Sequence, residues 1–243
     1  MIKKIFNKLY YKPPAYFVDH YKVKRLTAKS KSIFEKYLQK EGIRKLQIGC
    51  GSNILEGWLN TDLNFKKNKI AHLDAGKKFP LPDAVFDYIY SEHIFEHLTF
   101  IQGVNMLSEC YRVLKPGGKL RLATPDMNFL IRLYNEPDKS IHKEYIKWST
   151  NRYIQEISEH LNEDEYSAAF VMNNFFSDWG HEVLYNYEGL EVVLKKAGFV
   201  NIRRQEVGKS EIADFNKLEK HGGIIPEEFN VLETVVVEAE KTQ

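Results

Sequence analysis

Lys45-Leu46-Gln47-Ile48-Gly49-Cys50-Gly51-Ser52-Asn53 is the stretch on which the reading of this chain turns. A short apolar run ends abruptly in two glycines one residue apart. In an open α/β sheet, that is how a buried strand hands over to a ligand-cradling turn. Glycine admits positive φ and lets a ligand approach without a Cβ in the way. A second short apolar run, Trp58-Leu59-Asn60-Thr61-Asp62-Leu63, follows and carries an acid. An acid at the end of the second strand is placed to accept hydrogen bonds from ribose hydroxyls. The pair of runs therefore predicts a nucleoside-containing cofactor bound across the carboxyl ends of parallel strands.

The type of cofactor follows by elimination. A dinucleotide fingerprint requires a third glycine where this chain has Ile54, and the Gly-Lys-Ser/Thr of a phosphate-binding loop is absent. A bare Gly-x-Gly turn suits a nucleoside without phosphate. These residues resemble the first motif of the class I S-adenosylmethionine-dependent methyltransferases, in particular the type 11-like group. Further landmarks occur in order: Asp62, His72-Leu73-Asp74-Ala75, Phe79 to Ser91, and Tyr111 to Leu120 with its Lys115-Pro116-Gly117-Gly118 turn. The resemblance covers about residues 44–126 and resumes near 181–204. It implies a Rossmann-like, doubly wound α/β fold with a mostly parallel seven-stranded sheet and an antiparallel last strand. It also implies S-adenosyl-L-methionine as cofactor, held by Gln47, Gly49, Cys50, Gly51, Asp62, Leu63, Asp74, Ala75 and Ser91. Two departures stand out. Gly51 and Asp62 are only eleven residues apart, too few for a full helical crossover, so a turn or loop must join the first two strands. Gln47 stands where the family often has an acid, and it supplies no charge opposite the cofactor's ammonium group.

The chain has 243 residues, which is enough for one large domain or a core with an insertion. Hydrophobic residues make up 43% and charged residues 28%, the balance of a globular protein and not of a disordered chain. A net charge of +2 gives no global basic field for nucleic acid. The two cysteines, Cys50 and Cys110, form neither a metal-ligand cluster nor a disulfide framework, which points to a reducing cytoplasm. No apolar run reaches the ~18 residues of a membrane span, and no signal-peptide core is visible.

Residues 1–12 carry Ile2, Ile5, Phe6 and Leu9 at helical spacing among Lys3, Lys4, Lys8 and Lys12. A basic amphipathic helix of this kind either packs on the domain's own core or lies at the inner membrane face. A second helical pattern over about 18–41 ends at Gly42. Strands are expected at 44–49, 58–63, 69–73, Val85–Tyr90, 119–124, Phe199–Arg204 and Thr234–Glu238, and helices at about 101–114 and Tyr187–Ala197. The organisation expected is an N-terminal helical segment (1–42), the cofactor half of the core (43–126), a helical cap inserted over the cleft (127–180), and a C-terminal part with the β-hairpin (181–243). Insertions at strand ends are where specificity is usually built.

Methyl transfer needs alignment of nucleophile, methyl and sulfur, and an outlet for the nucleophile's proton. The acid–base candidates are His181, His93 and Asp126, with His93 nearest the end of the fourth strand; Asp126 could equally be a helix N-cap. His160 and Trp148 in the cap are further possible substrate contacts. His93-Ile94-Phe95-Glu96-His97 matches H-x-x-E-H, the inverted zinc-peptidase motif, but its place straight after a central strand behind a cofactor turn argues against that use, and no metal is expected. The arrangement Gly-Cys-Gly…Gly-Trp-x-Asn-x-Asp resembles methyltransferases of surface-glycan and small-metabolite pathways. That implies O-methylation of a small hydroxylated acceptor such as a sugar or glycan precursor. The alternatives are N-methylation of a small metabolite and a non-catalytic S-adenosylmethionine-binding module.

Overall fold

The computed structural model describes residues 20–63 and 69–243, with the side chains of 20–28 and 222 outside that description. The basic segment 1–12 lies outside the described residues. The chain runs α1 (His20–Leu38), β1 (Lys45–Ile48), β2 (Leu59–Asp62), β3 (Ala71–His72), β4 (Phe86–Glu92), α2 (Phe100–Val113) and β5 (Leu114–Pro125). It continues with α3 (Met127–Asn135), α4 (Ser140–Tyr153), α5 (Gln155–Ser158), α6 (Ala168–Ser177), α7 (Tyr187–Lys196), β6 (Phe199–Gln205), α8 (Glu227–Glu233) and β7 (Thr234–Lys241).

These strands form one seven-stranded sheet in the order β3-β2-β1-β4-β5-β7-β6. The first five are parallel to their neighbours, and β7 runs antiparallel to both β5 and β6. This is the Rossmann-like architecture expected from the sequence. Central parallel strands are covered on both faces, so they read as apolar runs without polar alternation. Accordingly Leu46, Ile48, Phe86, Ile89, Leu120 and Leu122 are all buried in the main core, with Phe34 of α1, Met106 and Leu107 of α2, and Leu190 and Leu194 of α7. The connection from β1 to β2 contains only turns, as the eleven-residue spacing required.

Helices α3, α4, α6 and α8 share a second core of Phe129, Leu130, Leu133, Tyr145, Ile146, Val171, Phe175 and Phe229. The long connection between β6 and β7 is pinned to the sheet by a charge pair. Arg121 of β5 is fully buried, and its guanidinium donates to both carboxylate oxygens of Glu219 at 2.6 and 2.8 Å, and to Glu238 at 2.5 Å. A fork-to-carboxylate pair of this kind fixes orientation as well as position. It holds residue 219 against the middle of the sheet, and His221 is two residues further on.

Candidate active site

The site grows from the turn after β1. Gly49 and Gly51 both have positive φ, +72° and +49°. The two glycines are required for different reasons. A Cβ on Gly49 would lie 2.0 Å from Cγ1 of Ile94, so Gly49 is what allows the 93–97 segment to pack onto the turn. A Cβ on Gly51 would meet no protein atom within 4 Å, so that glycine keeps its surface open to a ligand. Asp62 at the end of β2 accepts a hydrogen bond from the Gly51 N–H at 2.9 Å and thereby braces the turn from the neighbouring strand. Gln47 is buried below it and donates from Nε2 to the Asn53 carbonyl at 3.0 Å. Cys50 is buried, Leu63 is exposed and Ala75 is buried. An open glycine next to an acid at the strand ends fits a nucleoside bound by backbone and carboxylate.

Three predicted site residues have other work. Ser91 is fully buried and its hydroxyl donates to the Ile48 carbonyl, so it fastens β4 to β1 and does not line a cleft. Asp74 accepts from the Gly76 N–H at 3.1 Å and pairs with Lys77 at 2.9 Å, the contacts of a turn-forming aspartate. Asp126 is 1% exposed; it caps α3 through Asn128 N–H and pairs with Arg204 at 3.1 Å. Its carboxylate thus serves a helix cap and an ion pair, the N-cap alternative that the sequence also offered. His160 is exposed and bonded to the Glu156 carbonyl, away from the cavity described next.

Beyond the turn lies a cavity of about 230 Å³ at the ends of β4 and β5, bounded by His93, Glu96, His97, His181, His221 and Glu233, with Tyr145, Trp148, Tyr153 and Trp179 as an aromatic wall. The H-x-x-E-H residues do not form one helical face. His93 has φ +48° and residues Phe95–His97 form a single 3-10 turn, so His93 and His97 point into different parts of the site. His93 Nδ1 lies 3.0 Å from Glu96 Oε1. Glu96 is fully buried and also accepts from the Thr124 hydroxyl at 3.0 Å. An ionised carboxylate only accepts, so a proton sits on His93 Nδ1, and in the neutral imidazole Nε2 carries the lone pair. That Nε2 is buried without a hydrogen-bond partner among the described residues. The His93 ring stacks on His221 with centroids 4.0 Å apart.

Electrostatics reinforce the pair. Burial opposes the charge of both groups, but the mutual hydrogen bond and charge prevail: the Glu96 carboxyl is held down at about 2 and the His93 imidazole is raised above its ordinary range. Burial instead lowers His181, whose Nδ1 donates to the Phe175 carbonyl at 2.7 Å. The structure thus brings His93 and His181 to one cavity, as expected from the sequence, and adds His221, Glu233, Tyr145, Tyr153 and Trp179. Glu92 at the end of β4 accepts from the His221 N–H at 2.7 Å, and the Tyr145 hydroxyl donates to Glu233.

The methyltransferase domain family matches residues 46–122. A Mycolicibacterium smegmatis protein described as a probable S-adenosylmethionine-dependent methyltransferase is 41% identical over 49 residues, which are 20% of this chain and 18% of that one. The chain thus spans under a fifth of that relative's length. Among solved structures, a SAM-dependent methyltransferase from Archaeoglobus fulgidus overlaps 90% of this chain and 94% of its own, with 18% identity and a TM-score of 0.46. Phosphoethanolamine N-methyltransferase 2 of Haemonchus contortus, in complex with S-adenosyl-L-methionine, overlaps 89% of this chain and 53% of its own, with 16% identity and a TM-score of 0.42. Residues 46–122 therefore carry the match to a methyltransferase domain, and the relative with the 49-residue match is described as S-adenosylmethionine-dependent.

The residues that brace the turn give a direct test of where that cofactor binds. Asp62→Ala should weaken S-adenosylmethionine binding by about 1.5–3 kcal/mol, the range for a hydrogen bond to a charged group. Asp62→Asn, which keeps an acceptor for the Gly51 N–H, should lose less. Titration calorimetry on both variants reads the difference, and equal wild-type affinity in all three proteins would move the ribose away from Asp62.

Proposed function

We propose that this chain O-methylates a small hydroxylated acceptor, a sugar or glycan precursor, with His93 as general base. The observation that carries the proposal is the His93–Glu96 pair lining an aromatic-walled cavity beside the glycine turn. Bound S-adenosylmethionine supplies an electrophilic methyl on a cationic sulfur that leaves as a neutral thioether. Everything else falls to the chain's own residues. Gly49, Gly51 and Asp62 hold the nucleoside end. Helices α3 to α6, with α8, form the cap that keeps the acceptor in place and water out. Glu96 fixes the imidazole of His93 with Nε2 toward the cavity, as a carboxylate orients the base in hydrolytic triads. The acceptor's hydroxyl proton passes to Nε2 as its oxygen bonds to the methyl. Aromatic faces beside polar edges suit a sugar, whose ring presents apolar C–H faces and hydroxyl rims.

No described helix is long and apolar enough to cross a membrane. A soluble acceptor or a precursor presented at the inner membrane face both agree with the reading, and residues 1–12 are the proposed contact for the second.

The test is formation of S-adenosylhomocysteine with a panel of monosaccharides, nucleotide sugars and matched amines, followed by a pH profile on the best acceptor. Turnover with hydroxyl acceptors and none with amines is expected. The base must be unprotonated, so kcat/KM should rise with pH, and because the His93 pKa is raised the rise should centre above the ordinary 6.5. A rise centred below that value would assign the base to His181, whose pKa is lowered. Turnover confined to amines would replace the reading with N-methylation, and binding without any turnover would leave a cofactor-binding module.

A further inference from the structure

We propose that Glu96, His97 and His181 form a binding site for a divalent transition-metal ion, Zn²⁺ being the best match. The inference deepens the reading above, since it rests on this cavity being where the acceptor binds. Donor atoms of the three side chains lie within 4.8 Å of one another. Both imidazoles are set as ligands are usually set. His181 donates from Nδ1 to the Phe175 carbonyl at 2.7 Å and His97 donates from Nδ1 to the Gly180 carbonyl at 3.3 Å. A carbonyl only accepts, so in each ring the proton is on Nδ1 and Nε2 carries the lone pair. Metal-bound histidines nearly always have their other nitrogen fixed in this way.

The two rings have centroids 5.0 Å apart at an interplanar angle of 61°, an edge-to-face arrangement in which two imidazoles can converge on one ion without stacking. The third donor is preorganised too. The carboxylate of Glu96 is fixed by His93 and the Thr124 hydroxyl, which use two of its roughly four lone-pair positions and leave others for an ion. The backbone holds the group together, because the Glu96 carbonyl accepts from Glu182 N–H at 2.8 Å and so ties the 3-10 turn to the residue after His181.

Two imidazole nitrogens and one carboxylate are the donor set of three-ligand zinc sites that keep a position open for substrate. Imidazole also suits the neighbouring first-row ions, whereas Mg²⁺ and Ca²⁺ prefer oxygen. Facing the cavity, the ion would act as a Lewis acid that holds a hydroxylated acceptor beside His93 and lowers the pKa of its hydroxyl. The neighbouring group His93, His221 and Glu233 also brings three donors within 4.8 Å. Its two imidazoles are stacked at 4.0 Å and 24°, and lone pairs in two nearly parallel ring planes do not converge on one ion. That group is therefore not the site proposed.

The experiment uses the whole chain, stripped with chelator and titrated with Zn²⁺ by calorimetry against a competing chelator, and with Co²⁺ by visible absorption. S-adenosylmethionine binding is measured on the same samples. One Zn²⁺ per chain is expected, with Co²⁺ bands of low coordination number. His97→Gln and His181→Gln, each checked for folding by circular dichroism, should each weaken Zn²⁺ by more than the roughly 10–100-fold that loss of an outer-shell partner costs. His221→Gln should leave Zn²⁺ affinity unchanged. Absence of Zn²⁺ and Co²⁺ binding in a protein that binds S-adenosylmethionine overturns the metal site alone. So does Zn²⁺ binding that survives both glutamine variants, or that His221→Gln abolishes. Loss of S-adenosylmethionine binding in the unmodified chain would instead overturn the functional reading itself.

Discussion

His93→Ala should lower turnover by about 10²–10⁴-fold, the usual worth of a positioned general base, and leave S-adenosylmethionine affinity unchanged. The base touches the acceptor's proton and not the adenosine, so the two readouts separate. The alanine variant also removes the donor that Glu96 faces, leaving a fully buried carboxylate with only the Thr124 hydroxyl bond to its side chain. An uncompensated buried charge is costly, so His93→Ala should also melt earlier than the parent. His93→Gln retains a donor for Glu96 and should recover melting temperature without recovering turnover. That split separates a base from a structural histidine. If both variants keep parental turnover with the best acceptor, His93 is not the base and His181 becomes the residue to replace.

The glycine turn carries the second large effect, and its two glycines should fail in different ways. Gly49→Val places a side chain on top of Ile94, where a Cβ alone would sit 2.0 Å from Cγ1, at a backbone φ of +72°. Overpacking typically costs about 1–3 kcal/mol, occasionally more, and the left-handed backbone adds about 1–2 kcal/mol. Thermal melting should therefore drop by many degrees, with cofactor binding lost along with the fold. Gly51→Val meets no neighbour, so only the backbone penalty applies to stability. Its methyls instead occupy the surface that the nucleoside uses, and S-adenosylmethionine binding should vanish from a protein that is still folded. Calorimetry and melting on the pair check this, and unchanged affinity in a folded Gly51→Val would remove the turn from the cofactor site.

How much of this was legible in the sequence depends on how local each signal is. The β1 strand and its turn, the helix expected at about 101–114 and the helix expected at Tyr187–Ala197 are specified within a dozen residues, and all are found where the pattern put them, as α2 and α7. The short loop to β2 followed from counting residues. Side-chain assignments fared unevenly because strand ends offer several polar partners. Ser91 and Asp126 sit where expected, but the Ile48 carbonyl, the first turn of α3 and Arg204 claim their polar atoms. The H-x-x-E-H motif suggested an i, i+4 face, and a left-handed His93 followed by a 3-10 turn abolishes it.

His221 and Glu233 were not legible. His221 is brought to the cavity by Glu219, which Arg121 holds from a strand some hundred positions earlier, and by Glu92, which accepts from the His221 N–H. Glu233 is brought there where β7 pairs with β5 and the Glu233 carbonyl accepts from the Asp126 N–H. An arginine between two leucines in a central strand, Leu120-Arg121-Leu122, was a hint that a distant carboxylate must come to it.

In this reading the cofactor lies over the Gly49–Asp62 turn with its reactive end toward His93. A crystal structure of the protein with S-adenosylhomocysteine tests it most directly. The adenosine should lie over Gly51, the ribose hydroxyls at Asp62, and the sulfur should face the cavity that His93 and His181 share. Adenosine bound away from Gly51, or sulfur facing away from His93, would contradict it.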